Sequence, residues 1–249
     1  MNLSDLTYVE AEEIIRAGAV ALWPAGATES HGPHLPLGTD VIIAEHTCRR
    51  AAAEIRASLS LHALVLPALS LSVTDFARPF RGTLSVRRPV VTAYARDVLL
   101  SSAEQGFRCV CIVNAHLEPE HRYAMRDAVA QAREESSCPV VMADPCDRRW
   151  VPELTDEFQS GACHGGRYES SLVMNARPDL VREEQRLKLV PSRVDLIGEM
   201  KAGKSNFQQM GAEQSYFGDP ARATSTEGDE SYGVLARIVV RVIQEALAE

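Results

Sequence analysis

The sequence predicts an α/β fold in three layers, with a mostly parallel central sheet flanked by helices. Two observations predict it: four short apolar runs typical of buried strands, and longer helical patterns between or after them. Because each helical crossover returns the chain to the same end of the sheet, strands connected in this way pair in parallel. The predicted strands are 19–23, 64–69, 109–113 and 140–143, and the predicted helices are 41–58, 90–105, 120–134 and 232–248.

Length and composition favour one globular domain over residues 1–249. The chain has 249 residues, of which 45% are hydrophobic, which is enough to build a single core of ordinary size. The formal net charge is -8, and no run of Lys and Arg could follow a phosphate backbone, so we expect no nucleic-acid partner. The segment 187–230 is richer in Gly, Ser and Gln, and it predicts a long excursion with little regular structure, either a lid or a subunit contact.

The expected location is the cytoplasm, with no membrane attachment. The N-terminal stretch carries acidic residues where a signal peptide needs positive charge, and no apolar run approaches the roughly 18 residues of a membrane span. The six cysteines contain no CxxC pair, which favours buried thiols in a reducing compartment over a disulfide or zinc framework. Cys109 and Cys111 alternate within one strand pattern and should face the same side of the sheet.

Polar clusters follow the first and third predicted strands. Glu29, His31 and Asp40 come from the loop after the first, and His116 and Glu118 from the loop after the third. Ligands of open parallel sheets bind beyond the carboxyl ends of the strands, so the two loops should meet there. This mixed set of imidazole and carboxylate donors suits zinc, manganese or another borderline divalent ion. Five ligands exceed what one catalytic ion usually takes, and they predict two ions that share a carboxylate and a water.

A third cluster begins at His164. It precedes a helical pattern that starts after Gly166 and ends before Pro178, and it places Glu169 in the first turns of that helix. A His beside a metal-activated water can carry a proton to a leaving nitrogen, because its imidazole titrates near neutral pH. The alternative from spacing alone is a capping His and a solvated Glu.

At these clusters the chain resembles the creatininase family of amidohydrolases. The resemblance rests on Pro-Ala-Gly-Ala-Thr-Glu-Ser-His-Gly-Pro-His-Leu-Pro-Leu-Gly-Thr-Asp at 24–40, Val-Asn-Ala-His-Leu-Glu at 113–118 and His-Gly-Gly-Arg-Tyr-Glu-Ser-Ser at 164–171. It implies a compact three-layer α/β fold, two divalent metal ions (zinc, or manganese or iron), a small-molecule substrate and a homo-oligomer, commonly a hexamer. By that resemblance the metal ligands are Glu29, His31, Asp40, His116 and Glu118, with Asp40 as the bridge. The catalytic residues are His164, Glu118 and Glu169.

Departures from the family pattern argue against creatinine as the substrate. No Trp precedes His164, and Leu117 stands between His116 and Glu118, where creatininase has an aromatic residue. Three arginines are candidates for binding an anionic substrate, because a guanidinium binds carboxylates in bidentate fashion. The alternative for each is an ordinary surface arginine with no role in binding. The candidate arginines are Arg78, Arg81 and Arg167.

The predicted function is therefore hydrolysis of a carbon–nitrogen bond in a small, cyclic amide by a metal-activated water. Three alternatives stay open. One is a relative that hydrolyses a formamide or a non-amide cyclic intermediate, and another is a non-catalytic binding or assembly subunit. The third is a nucleotide triphosphatase, because Gly-Glu-Met-Lys-Ala-Gly-Lys-Ser at 198–205 fits the P-loop pattern, although the following residues make a poor amphipathic helix.

Overall fold

The computed structural model describes residues 1–248, which form a four-stranded parallel sheet covered by helices on both faces. The strand order is β2-β1-β3-β4, and all three strand pairs run parallel. The α/β class and the parallel sheet predicted from the sequence are thereby confirmed. The strands are β1 Val20–Ala25, β2 Ala63–Val65, β3 Val110–Asn114 and β4 Val140–Ala143.

Nine α-helices lie within the described residues, and the four longest agree with the predicted ones to within a few residues, except that the last begins earlier. Short 3-10 turns occupy Leu3–Asp5, Val151–Glu153, Pro178–Leu180 and Pro220–Arg222. The α-helices are α1 Tyr8–Arg16, α2 Thr39–Leu59, α3 Arg88–Glu104, α4 Pro119–Glu135, α5 Asp156–Ser160, α6 Arg167–Ala176, α7 Glu183–Arg186, α8 Leu196–Lys201 and α9 Ser225–Ala248.

Alternating side chains of the central strands build two separate cores. Leu22 and Cys111 face a core shared with α2, α6 and α9, whereas Trp23 and Ile112 face a core shared with α3 and α4. This alternation follows from the two-residue period of a strand, and it places Cys109 and Cys111 in the same core, as predicted. Since both faces are covered, the strands are apolar throughout and every residue of β1 and β3 is buried.

The strand predicted at 64–69 is shorter than expected. β2 ends at Val65, and the chain then runs along the sheet with only an isolated bridge between Ala25 and Leu69. Pro67 explains the early end, because proline has no N–H to donate to a neighbouring strand.

Helix α1 was not among the sequence predictions. Its signal is the capping box at its N-terminus, where the Thr7 hydroxyl accepts from the backbone N–H of Glu10 and the Glu10 carboxylate accepts from that of Thr7.

The segment 187–230 is irregular, as predicted, apart from α8, a 3-10 turn and the start of α9. The P-loop-like stretch lies here, and it does not have P-loop geometry. Its first residues belong to α8, and Lys204 pairs with Glu199. Within residues 1–248, no strand leads into this stretch and no helix begins at its end, so the triphosphatase alternative is wrong. In the same described residues, no helix combines the length and apolar character needed to cross a bilayer.

Candidate metal centre

The polar loops after β1 and β3 meet at the carboxyl edge of the sheet, where they bury a cluster of imidazoles and carboxylates. Six members have relative exposures of 7% or less, and His164 at the rim keeps 12% of its side chain exposed. All seven were singled out from the sequence, and the fold brings all of them together. They are Glu29, His31, Asp40, His116, Glu118, His164 and Glu169.

Asp40 lies at the centre of the cluster, in the first turn of α2. Its Oδ1 lies 3.0 Å from His31 Nε2, and its Oδ2 lies 3.0 Å from His116 Nδ1. The two oxygens of one carboxylate thus face two different imidazoles, which is the geometry of a bridging ligand. Gly26 makes this position possible, because a Cβ atom there would lie 2.9 Å from the Asp40 Cβ and 2.7 Å from the backbone nitrogen of Val41.

Hydrogen bonds to backbone carbonyls fix the tautomers of both central histidines. His31 Nδ1 donates to the carbonyl of Glu29 at 3.2 Å, and His116 Nε2 donates to the carbonyl of Val73 at 2.7 Å. The nitrogen facing the cluster is therefore the one with a free lone pair in each neutral ring. Metal-binding histidines are oriented in this way by the hydrogen bond of their other nitrogen.

Three overlapping groups of three donors make up the cluster: Glu29, His116 and Glu118; His31, Asp40 and Glu169; and Glu29, His31 and His164. On one side of Asp40, Glu29 Oε1 lies 3.3 Å from His116 Nδ1, and Glu118 lies next to this pair. On the other side, Glu169 Oε2 lies 3.5 Å from His31 Nε2. Donor atoms within each group lie within 4.8 Å of one another, which is close enough to share one ion.

Glu118 and Glu169 differ in the number of backbone N–H bonds that their carboxylates accept. Both carboxylate oxygens of Glu118 accept backbone N–H bonds, from Asp75 at 3.0 Å and from Phe76 at 3.2 Å. Glu169 accepts a single bond, from the Gly165 backbone at 2.7 Å. The sequence prediction made Glu118 both a metal ligand and a catalytic residue, and Glu169 a catalytic residue only; in the structure Glu169 lies 3.5 Å from His31, and Glu118 groups with Glu29 and His116.

Buried atoms without partners indicate that the cluster suits cations. Among residues 1–248, His31 Nε2 and Asp40 Oδ2 are fully buried yet make no hydrogen bond, since short distances alone do not provide the required angles. Leaving such atoms unsatisfied is unfavourable, and coordination of a metal ion satisfies both. The donor set of imidazoles and carboxylates fits zinc or manganese.

The pKa values of the clustered side chains also indicate a site suited to cations. Burial raises the pKa of Glu169 to about 8 and that of Glu118 to about 7, because four carboxylates share a small volume away from water. Burial alone would lower the pKa of His31, but Asp40, Glu169 and Glu29 together raise it to about 10. The neighbouring carboxylates thus disfavour the ionised forms of Glu118 and Glu169, and divalent cations would favour those forms instead.

His164 lies at the edge of the cluster, and its contacts differ from those of His31 and His116. Its ring stacks on that of His31, with centroids 4.2 Å apart, and its Nε2 donates to the carbonyl of Ser30 at 2.9 Å. Its Nδ1, which is left with a free lone pair, lies 3.8 Å from Glu29 Oε1. Burial and the neighbouring His31 lower the pKa of His164 well below its usual value, so the ring is neutral and can accept a proton.

The three arginines proposed from the sequence as substrate ligands lie away from the cavity over this cluster. Arg78 is exposed beside Asp75, Arg81 is exposed, and Arg167 is bound by Asp156 and Glu227. The assignment of Arg78, Arg81 and Arg167 to substrate binding is therefore not supported, because linear motifs do not show where a long side chain is anchored.

Several site residues were missed by sequence reasoning. His121 is fully buried, contacts the His116 ring at a centroid distance of 4.8 Å and bonds Ser72 Oγ at 2.6 Å and Asn114 Oδ1 at 2.9 Å. Asn114 in turn bonds both the N–H and the carbonyl of His116. The spacing of His121, five residues after His116 and inside a helical pattern, gave no signal beyond its place next to the motif.

A buried carboxylate between two oriented imidazoles, at the carboxyl edge of a parallel sheet, is an arrangement that could hold metal ions. A family profile described as creatininase (creatinine amidohydrolase) matches residues 4–243. The chain belongs to the creatininase family, whose members are hydrolases acting on carbon–nitrogen bonds. This confirms the resemblance inferred from the three motifs.

Curated relatives carry two kinds of name. The chain is 28% identical over 214 residues to a mycofactocin precursor peptide peptidase of Mycolicibacterium smegmatis, covering 86% of this chain and 79% of the relative. It is 28% identical over 198 residues to a creatinine amidohydrolase of Pseudomonas putida, covering 72% and 73%.

Solved creatininase structures share the fold. One creatinine amidohydrolase crystal structure gives a TM-score of 0.77 at 24% identity, covering 99% of this chain and 98% of the other. A manganese form of creatininase gives a TM-score of 0.76 at 23% identity, with the same coverage. Another neighbour is a creatininase variant complexed with creatine, with a TM-score of 0.76 at 23% identity, covering 98% of this chain and 97% of the other. These likenesses confirm the three-layer fold.

Proposed function

We propose that the protein hydrolyses a carbon–nitrogen bond in a small amide, using two divalent cations held around Asp40. The observation that carries the proposal is the position of this carboxylate, with one oxygen 3.0 Å from His31 Nε2 and the other 3.0 Å from His116 Nδ1. A binding module would have no need for this buried bridge or for the neutral His164 beside it, so we favour an enzyme over an assembly subunit.

The two ions would have different ligands. Glu29, Asp40 and His116 would hold one, and His31, Asp40 and Glu169 the other; zinc is our first choice, with manganese or iron as alternatives. Such a pair supplies an activated water and polarises the carbonyl of the substrate.

We assign the proton transfers to Glu118 and His164. Glu118 groups with Glu29 and His116, but both of its oxygens accept backbone N–H bonds, which holds it in a fixed position that suits a general base taking a proton from water. His164 is neutral and presents Nδ1 to the cluster, so it can accept that proton and deliver it to the departing nitrogen.

The substrate is bound in a cavity that opens over the cluster. Its walls carry apolar residues including Phe76, Leu117 and Phe207, and no Trp, which again disfavours creatinine. The cyclic substrate inferred from the family resemblance stays a prediction, as do the hexamer and the cytoplasmic location. Sedimentation of the purified protein tests the hexamer.

The experiment combines metal analysis with a hydrolysis screen. Purified protein is offered zinc, manganese and iron in turn, dialysed, and assayed for bound metal and for release of amine from cyclic amides, formamides and short peptides. We expect Asp40→Asn to lose both metal and activity. The matched control is Asp127→Asn, the same chemical change on the outer surface of α4, where the side chain pairs with Arg88. Wild-type protein that retains no metal, or an Asp40→Asn variant with full activity, would refute the proposal.

A further inference from the structure

The cavity over the metal centre has two chemically different parts. Its volume is about 290 Å³, at the small end of the range for small-molecule sites. The floor consists of the metal-centre residues, whereas the walls are mostly aliphatic and aromatic. One wall comes from α8 and the residues after it, so the irregular segment 187–230 covers the site as a lid would. Wall residues that carry the argument are Phe76, Leu117, Val151, Leu196, Met200 and Phe207.

One positively charged side chain interrupts these walls. Among the lining residues, all within 1–248, Arg122 is the only Arg or Lys. It lies one helical turn after Glu118 on α4, since its backbone N–H donates to the Glu118 carbonyl at 3.1 Å. Glu118, the proposed general base, is the N-cap residue of α4 and Arg122 lies in its first turn, and both side chains line the cavity.

Asp144 holds the guanidinium in place. Arg122 Nε donates to Asp144 Oδ2 at 2.9 Å, and Nη2 lies 2.9 Å from the same oxygen. Nη1 makes no hydrogen bond to any residue of the described chain, 1–248, and it is left free to bind a ligand. A guanidinium anchored on one edge and free on the other is pre-organised to bind a carboxylate.

A second guanidinium shares the anchor of Arg122. Arg126 also binds Asp144, with Nη2 3.0 Å from Oδ2, so two guanidinium groups contact one carboxylate oxygen. Arg126 is half exposed and does not line the cavity. Of the two guanidinium groups, only that of Arg122 therefore reaches the cavity.

We propose that the substrate is an amide that carries both an apolar side chain and a free carboxylate, such as an N-acylated apolar amino acid or the C-terminal end of a short peptide. The apolar side chain would pack against the walls, the carboxylate would pair with Arg122 Nη1, and the amide would lie over the metal centre. This inference rests on the proposed hydrolase function, and Arg122 is its specificity-determining residue.

The test measures binding to the metal-loaded protein by calorimetry, with three matched probes. N-acetyl-leucine has all three features, N-acetyl-leucinamide lacks the charge and N-acetylglycine lacks the apolar side chain. We expect N-acetyl-leucine to bind about ten- to a hundredfold more tightly than its amide, as a charged hydrogen bond implies. N-acetylglycine should also bind more weakly than N-acetyl-leucine, because it buries less apolar surface.

Two variants test whether Arg122 causes the preference for the acid over the amide. In Arg122→Met the preference for acid over amide should disappear. Arg126→Met is the matched control, because it removes an ion pair to the same Asp144 oxygen without altering the cavity, and it should keep the preference. Since Arg126 still binds Asp144 in the first variant, we expect the fold to survive, as circular dichroism would check.

Three outcomes would overturn the inference: equal binding of acid and amide by the wild type, no binding of any probe at millimolar concentration, or an unchanged preference in Arg122→Met. An unchanged preference in Arg122→Met would mean that the cations, and not Arg122, bind the carboxylate. Failure of the hydrolase proposal is separate: it would appear as intact binding preferences in a protein that hydrolyses no amide.

Discussion

Replacing Glu118 and Glu169 separately by Gln distinguishes a proton-transfer residue from a metal ligand. Both are buried glutamates at the same centre: Glu169 groups with His31 and Asp40, whereas Glu118 groups with Glu29 and His116 but has both oxygens bound by backbone N–H groups. In Glu169→Gln, the amide oxygen can still accept the Gly165 N–H, so the loss is confined to one anionic ligand. Supporting residues around a metal typically contribute ten- to a hundredfold to affinity, and we expect a direct ligand to contribute about a hundredfold or more.

Glu118→Gln should act differently, because both oxygens of Glu118 accept backbone N–H bonds. A Gln can accept only one of them, and its NH2 group would face the other donor, from Asp75 or Phe76. An unsatisfied buried donor costs about 1–3 kcal/mol, or about 2–12 °C in Tm for a domain of this size. The variant should keep both ions and lose turnover.

The assay counts metal ions per chain by plasma spectrometry after dialysis, alongside turnover and thermal melting. We expect Glu169→Gln to keep one of two ions and Glu118→Gln to keep both. If Glu118→Gln loses an ion while Glu169→Gln keeps both, the sequence-based assignment of Glu118 as a ligand is right and the geometric argument is wrong.

Three further predictions test the proton path, the charge of the metal-free site and the packing beneath it. His164→Ala should keep its metal and lose about a hundredfold or more in kcat, as loss of a proton-transfer residue implies; full activity would exclude that role. The pKa values of about 8 for Glu169 and about 7 for Glu118 leave both largely or partly protonated at neutral pH without metal. Binding of zinc should therefore release protons, including that of His31, whose pKa is raised to about 10, and its affinity should rise with pH from 6 to 8, as calorimetry in buffers of different ionisation enthalpy would detect; an affinity independent of pH over this range would contradict this. Gly228→Ala would bring a Cβ within 2.0 Å of the Ser171 carbonyl oxygen where α9 crosses α6, and we expect destabilisation of about 1–3 kcal/mol by chemical denaturation.

Two of these predictions have an internal control. Metal content separates a chemical role of His164 from loss of the centre. For the glycine, Gly233→Ala lies on the same helix, where a Cβ would meet only the Arg237 side chain at 3.5 Å, and it should leave stability unchanged or slightly raised. Equal destabilisation by both changes would contradict the close-contact explanation, because helix propensity favours Ala over Gly at both positions.

The sequence by itself determined the layers of the fold and the members of the site. Apolar runs separated by helical patterns gave the parallel sheet, because a strand buried on both faces must be apolar throughout. Short-range motifs gave all seven cluster residues, since each motif brings its donors to the end of a strand and parallel strands end at one edge.

Only the tertiary structure decided what those residues contact. The relative positions of Glu118 and Glu169 depend on how α4 and α6 approach the loop after β1, and no local pattern encodes that approach. The same holds for Arg122, which belongs to the cavity because Asp144, at the end of β4, anchors it there. Arg78, Arg81 and Arg167 were the arginines that the sequence proposed for substrate binding, and packing placed all three away from the cavity. Periodicity is set by neighbours along the chain, whereas a long side chain is directed by partners that are distant in sequence.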